Sequence, residues 1–313
     1  MPLQFTTSLS KPQIVVGLLP VQPSFNSRCI GLRRSEGIAR QPLRPGQRMP
    51  PAAAAQAAVA ESLHLLRFPP DASEEDVSRV VDAIWSLQYA AAGPICASAG
   101  PLPAALARMP PPAAACSHAV LFRYGTEAAL QRFQAQPRVR LMLSGADAPQ
   151  GTAITTLNFL GTVPNELEAV FRRGGQWEAG LELVLALAVQ EGSEAGDASE
   201  FLSLSQQLAV SPAFGAVQCS YGRCLSVVRH GSGGSGGGGE EGGPGSAELA
   251  APDMLLLARF EGEEQLRQFL CCPPLAALFE GDERLPLRAL WSFALATVPS
   301  DSSSSSPVQG GLV

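Results

Sequence analysis

The sequence predicts an α+β protein made of two copies of one βαββαβ unit, their antiparallel sheets packed face to face. Three observations carry this. The chain repeats itself, with His118–Leu143 superimposing without gaps on Met254–Phe279 through Arg123/Arg259, Glu127/Glu263, Leu130/Leu266, Phe133/Phe269 and Pro137/Pro273. Gly93–Gly100 likewise matches Gly215–Gly222, and Thr162-Val163-Pro164 matches Thr297-Val298-Pro299. Within each copy the apolar pattern switches between continuous short runs and helical spacing. The runs are also apolar on both faces, so a sheet with helices on one side still has a second face to cover.

In the first copy, Ser62–Phe68 is an apolar strand. Ser73 and Asp76 then supply a capping-box-like helix start, because a short polar side chain satisfies the free N–H groups of a first turn. Val77, Val80, Val81, Ile84 and Leu87 recur three and four residues apart and form one apolar stripe, which Gly93 ends. Ile95–Ala99 and Ser117–Tyr124 are the second and third strands, Glu127–Gln136 is a helix stopped by Pro137, and Ile154–Leu160 is the last strand. The second copy gives Leu181–Val189, a helix carrying Phe201, Leu204 and Leu208, then Ala216–Ser220, Met254–Phe260, Glu263–Cys272 and Leu287–Ala296. This order produces a four-stranded antiparallel sheet with both helices on one face, the ferredoxin-like arrangement. Two such sheets cover each other as an intramolecular pseudo-dimer, a dimeric α+β barrel within one chain.

Composition narrows the function classes. The 313 residues are 46% hydrophobic, enough for a core, with 16% charged and 6% aromatic. A net charge of −6 argues against a nucleic-acid surface, which gathers phosphates with basic residues. No apolar run reaches the roughly 18 residues needed to span a bilayer. The seven cysteines form no CxxC spacing, and neither Cys219/Cys224 nor the adjacent Cys271/Cys272 suits structural zinc, so buried thiols in a reducing compartment are expected and no metal or cofactor.

The charge is unevenly spread. Residues 1–58 hold Lys11, Arg28, Arg33, Arg34, Arg40, Arg44 and Arg48 against Glu36, a balance of +6 that leaves −12 for the rest. Basic, acid-poor and Ser-containing, this segment reads as a disordered transit peptide for import into the chloroplast, with the mitochondrion, a secretory signal or an uncleaved cytosolic arm as alternatives. Gly231–Ser246 has the composition of a flexible linker, 300–313 that of a Ser-rich disordered tail, and Pro101–Ala115 that of an extended loop. The repeat units occupy residues 61–164 and 178–299.

A strand bearing His64, a capped helix, a strand ending at Gly100, a second His-led strand from Ser117-His118, and the pattern Leu130-x-x-Phe133-x-x-x-Pro137 together resemble the stress-response A/B barrel (Dabb) family. The arrangement of two domains behind a leader is similar to its tandem plant and algal members. The resemblance implies stress-responsive biology and a non-catalytic role, or the holding of a small apolar ligand in the barrel. One member group, the polyketide cyclases, works with a Tyr and a His in a Tyr-x-x-His-Pro-x-His segment. Here those positions read Phe133, Gln136 and Val139, and in the second copy Phe269, Cys272 and Leu275. None supplies a base of near-neutral pKa, so that role does not carry over.

His64 and His118 start the first and third strands and are the candidate acid/base or two-nitrogen metal pair, with buried hydrogen-bonded histidines as the ordinary alternative. The second copy has Met254 in place of His118 and Leu183 or Glu182 in place of His64. Trp85, Tyr89, Tyr124 and Phe133 are candidate pocket-lining residues, or simply packed aromatics. Arg123 and Arg259 sit at strand ends, where surface pairing with Glu is expected, and His230 is expected to open the linker in solvent. The alternatives to a ligand-binding barrel are a cofactor-independent cyclase, lyase or monooxygenase using His64 and His118, and a scaffold protein. With the usual dimer face already covered internally, a monomer is expected.

Overall fold

The computed structural model describes residues 56–107, 116–164, 180–231 and 251–297. The proposed leader, most of the Gly/Ser segment, the Ser-rich tail and part of the Pro/Ala loop lie outside these residues. The first copy comprises β1 (Gln56–Arg67), α1 (Glu74–Trp85), α2 (Leu87–Ala90), β2 (Cys96–Pro101), β3 (Cys116–Tyr124), α3 (Glu127–Ala135), α4 (Pro137–Leu143) and β4 (Ala153–Pro164). The second comprises β5 (Gly180–Val189), α5 (Ala195–Ala209), β6 (Gln218–Gly231), β7 (Met254–Phe260), α6 (Glu263–Leu270), α7 (Pro273–Glu280) and β8 (Leu287–Thr297).

Local chemistry explains the helix boundaries. Ser73 accepts the Asp76 N–H at 3.1 Å and Thr126 accepts that of Ala129 at 3.1 Å, so α1 and α3 each begin on a side-chain cap. Val80, Val81 and Ile84 of α1 are buried against the sheet, as the stripe predicts. The two repeated prolines do more than stop helices. Pro137 and Pro273 each take the first position of a further short helix, where the missing N–H has no partner to lose.

The strands run β2-β3-β1-β4-β6-β7-β5-β8, and every ladder among the described residues is antiparallel. Each copy is therefore ferredoxin-like, and the two sheets are also joined at an edge, because β4 pairs with β6 from Thr162–Tyr221 to Ala153–Gly231. The joined sheet curls so that its two halves face each other, the dimeric α+β barrel that the sequence predicts. Leu63, Leu121, Leu157 and Phe159 of the first copy share one apolar cluster with Val184, Leu257, Trp291 and Phe293 of the second. Two further clusters lie outside the barrel, under the helices of each copy. The period-2 alternation of each strand assigns its residues to one side or the other.

Matched glycines form the two seams. A Cβ on Gly222 of β6 would fall 1.6 Å from the Leu160 carbonyl oxygen of β4. At the pseudo-symmetric place, a Cβ on Gly100 of β2 would fall 1.8 Å from the Ala296 carbonyl oxygen of β8. The repeat places glycine at both positions because backbone must meet backbone there.

The seams then diverge. β2 ends one residue past Gly100, at Pro101, whereas β6 continues past Gly222 to Gly231 alongside β4. The apolar pattern predicts this strand only as far as Ser220, because the residues beyond carry little of it and their partner belongs to the other copy. His230, expected in solvent at the mouth of the linker, is instead a half-buried strand residue opposite Ile154. A bulge at Leu225, between the pairs Phe159–Cys224 and Asn158–Ser226, shifts the parity of β6. Ser226, Val228 and His230 thereby join the helix-covered face.

Gly222→Ala and Gly100→Ala are each expected to destabilise the protein by at least about 2 kcal/mol in urea unfolding, through overpacking at a seam. Gly196→Ala, which meets nothing within 4 Å in α5, should be neutral or stabilising by up to about 1 kcal/mol.

Candidate functional site

Two polar centres lie on opposite sides of the sheet. The first is inside the barrel. Glu61 and Arg123 are cross-strand partners in the first copy, and Glu182 and Arg259 occupy the same positions in the second. Arg123 Nε donates to Glu61 Oε1 at 2.6 Å, and its Nη1 donates to Gln218 of the second copy at 2.6 Å and lies 3.6 Å from Glu182 Oε1. Ser220 donates to Glu61 at 2.8 Å and Ser98 to Glu182 at 3.2 Å, so each copy's matched serine reaches the other copy's glutamate. Arg259 lies 3.5 Å from Glu182 Oε1.

Burial raises the Glu61 carboxyl above its ordinary range even with Arg123 beside it. Burial alone would lower the Arg123 guanidinium, but Glu182 and Glu61 outweigh it and hold it firmly charged. Arg123 is thus a buried cross-copy tie rather than the expected surface pair. The alternation of β3 turns it inward with Leu121, where it is buried. A centre so enclosed holds the halves in register.

The second centre lies on the other face, between the first copy's sheet and α3–α4. His64 is fully buried on β1 opposite Thr156 of β4 and Val120 of β3. Its Nδ1 is 2.8 Å from Thr156 Oγ1 and its Nε2 is 3.2 Å from Ser62 Oγ. Ser62 donates to Asn158 Oδ1 at 2.8 Å, Gln134 of α3 donates to the same oxygen at 2.7 Å, and Asn158 Nδ2 donates to Ser226 of β6 at 2.9 Å. Burial, with a smaller contribution from His230, pushes the imidazole down to about 3. It is a neutral ring.

Above this network is a groove of about 610 Å³. Gln134, Arg140 and Leu141 line it from the helices, and Thr156, Val228 and His230 from β4 and the β6 extension. Leu141 and Val228 are among the few large apolar side chains left exposed, at 55% and 40%. Burial lowers the pKa of His230 below its ordinary value.

Strand register identifies the second copy's counterparts. Leu183 stands for Ser62, Leu185 for His64, Ser292 for Thr156 and Ala294 for Asn158, while the repeat puts Leu270 at Gln134. The counterpart of His64 is therefore Leu185, rather than the expected Leu183 or Glu182, because the Glu–Arg pairs set the register. Without an imidazole, the buried Ser292 hydroxyl has no hydrogen-bond partner among the described residues.

The predicted site residues are dispersed. His118 faces Leu66, receives or donates a 2.9 Å hydrogen bond with Ser117 and packs edge-on to Phe68, so it shares no hydrogen bond with His64. No cluster of three or more metal-ligating side chains occurs among the described residues. Tyr124 and Phe133 are buried in the aromatic core with Phe122, burial pushing the Tyr124 phenol up. Trp85 donates to the Ala97 carbonyl at 3.4 Å and meets Tyr89 edge-on, and Tyr89 is exposed. None of these six side chains lines the groove. Sequence reasoning missed Gln134, Thr156 and Val228 and expected His230 in solvent, and only folding brings the four together. The one available signal was the contrast of Ser62-x-His64 with Leu183-x-Leu185 in the repeat.

No family model matches the chain, and no curated protein matches it. Among solved structures, a candidate monooxygenase from Fusobacterium nucleatum superimposes with a TM-score of 0.48 at 5% identity, covering 77% of this chain and 93% of its own. A candidate chlorite dismutase gives 0.47 at 8% identity, covering 77% and 95%. An anthrone oxidase-like protein gives 0.45 at 6% identity, covering 81% and 99%.

The unfolded chain protonates His64 below its ordinary value of 6.5, whereas the folded ring resists until about 3. Its contribution to stability is thus complete above the unfolded value and is lost as pH falls through that window, at ~1.4 kcal/mol per pH unit. His64→Leu, copying Leu185, should flatten that part of the acid limb in urea unfolding series. Arg123→Leu leaves the buried Glu61 without its cation, while Glu182 keeps Arg259, and should cost about 3–5 kcal/mol by the same measurement.

Proposed function

We propose that the chain is a tandem stress-response A/B barrel protein that holds a small apolar ligand in the groove beneath α4, between the first copy's sheet and the β6 extension of the second. The observation that carries this reading is the pairing of two features at one place, the groove and the polar network beneath it. The groove depends on the β6 extension, which β2 does not match, and beneath it lies a polar network where the second half places Leu183, Leu185, Ala294 and Leu270. Burying polar groups costs stability unless all are satisfied, and the second half is the apolar solution to the same packing problem. A network kept in one copy, under a concave surface that exposes Leu141 and Val228, supports a role in binding.

The location differs from the expected one. The barrel interior is occupied by the apolar cluster and the charge centre, so the ligand surface lies on the helix-covered outer face. Binding is favoured over acid/base catalysis. A general base needs a pKa near the working pH, whereas His64 is held neutral to about 3 and is bonded at both nitrogens, and His118 belongs to another contact. Import into the chloroplast through the basic residues 1–58, and action as a monomer, complete the proposal.

The donor-free fluorophore Prodan, titrated against the full chain, tests it. Saturable blue-shifted emission is expected for the parent protein, at least tenfold weaker binding for Leu141→Glu and Val228→Glu, and unchanged binding for Leu204→Glu on the exposed face of α5. Equal binding by all four proteins would place the probe elsewhere and remove the reading.

A further inference from the structure

The helix pair beside the groove carries a charge that its counterpart lacks. Arg132, Arg138 and Arg140 against Glu127 give α3–α4 a net +2, whereas Glu263, Glu264 and Glu280 against Arg267 give α6–α7 a net −2. The repeat puts Ala276 at Arg140 and Ala277 at Leu141. Pro137, Arg140, Leu141 and Ser144 recur three and four residues apart, so they share one face of α4 and its C-cap, and all four line the groove. No Asp or Glu lines it. Arg140 is exposed and makes no ion pair among the described residues, while Arg267 is held by Glu263 and Arg284 by Asp282, each at 2.6 Å.

The second copy closes the corresponding place with its own side chain. Leu106 stands six residues past Gly100, as Val228 stands six past Gly222 in the matching seam. Leu106 is 6% exposed, in the apolar cluster that holds Leu275, Leu278 and Ala289, and its turn packs beside β8. Val228 stays 40% exposed in the groove. Where the second copy buries a leucine and carries no cation, the first keeps an open apolar wall and an unpaired guanidinium.

We infer that the groove takes an amphipathic acid, its apolar body lying along Leu141 and Val228 and its carboxylate pairing with Arg140 at the rim. The inference rests on the groove being the ligand site proposed above, and adds a charged head to the apolar body argued there. A carboxylate suits the planar fork of a guanidinium, which donates two parallel N–H bonds to its two oxygens. His230 brings an imidazole to the same groove from β6. Because Arg140 is exposed, the head group stays partly hydrated and no charge has to enter a dry interior.

The test is displacement of Prodan from the full chain by 2-naphthoate and by 2-naphthylmethanol, which share one apolar body and differ in charge. A groove without a cation favours the alcohol, because a carboxylate is the costlier group to take from water. With Arg140 engaged, 2-naphthoate should be the better competitor, and Arg140→Gln should weaken it about tenfold while leaving the alcohol unchanged. Arg140→Lys, which keeps the charge and loses the fork, should fall between the two. Arg138 does not line the groove, and Arg138→Gln should change neither competitor. Added salt should weaken 2-naphthoate alone. If Prodan binds the parent protein but the alcohol is the better competitor, the carboxylate assignment is overturned and the groove reading stands. The same follows if Arg140→Gln weakens both competitors alike, or if Arg138→Gln costs 2-naphthoate as much as Arg140→Gln does. If Prodan fails to bind the parent protein, both fall.

Discussion

The close approach of β6 to β4 at Gly222 is the constraint on which the rest of the molecule depends. Two four-stranded sheets, each with an apolar face and open edges, would otherwise expose both to water. Bringing Gly222 against the Leu160 backbone joins one pair of edges by hydrogen bonds, and Gly100 against Ala296 brings the other pair into contact. The curl that satisfies both contacts encloses Trp291, Phe293, Leu63 and Phe159. It also decides which strand runs beside β4, and so which side chains stand opposite Thr156.

Inside the closed barrel, the charged residues work between the copies rather than within them. Ser98 and Ser220 cross over to the opposite glutamate, and Arg123 links Glu61, Gln218 and Glu182. Buried ion pairs offer little net stability compared with apolar packing, but they penalise every arrangement that separates their members. Here the penalised arrangement is one in which the halves slip against each other. The same slip would move β6 along β4 and dismantle the groove.

Much of this was legible before folding. The repeat gave the two units, because apolar spacing and paired prolines are local signals that each copy carries whole. The strand parity of Arg123 and Arg259 could have placed them inside, yet the pairing is visible only once both sheet faces are covered. His64 was legible as a residue worth notice. Its partners were not, since Ser62, Gln134, Thr156, Asn158 and Ser226 come from four different elements. The extension of β6 was hidden for a related reason: its residues pack against no core of their own copy, so their spacing carries no strong apolar rhythm.

The amino-acid sequence by itself determined the α+β class, the duplication and the βαββαβ order of each unit, because these follow from short-range periodicity and turn chemistry. Tertiary structure alone decided the function-bearing asymmetry. Two nearly equivalent halves were made different by how far one strand continues beside its neighbour and by one bulged residue, Leu225. An added residue reverses which side chains face the helices, and that reversal puts Val228 and His230 over Thr156 instead of inside the barrel. Ladder register is a property of two strands together, and it is settled only when the second strand arrives.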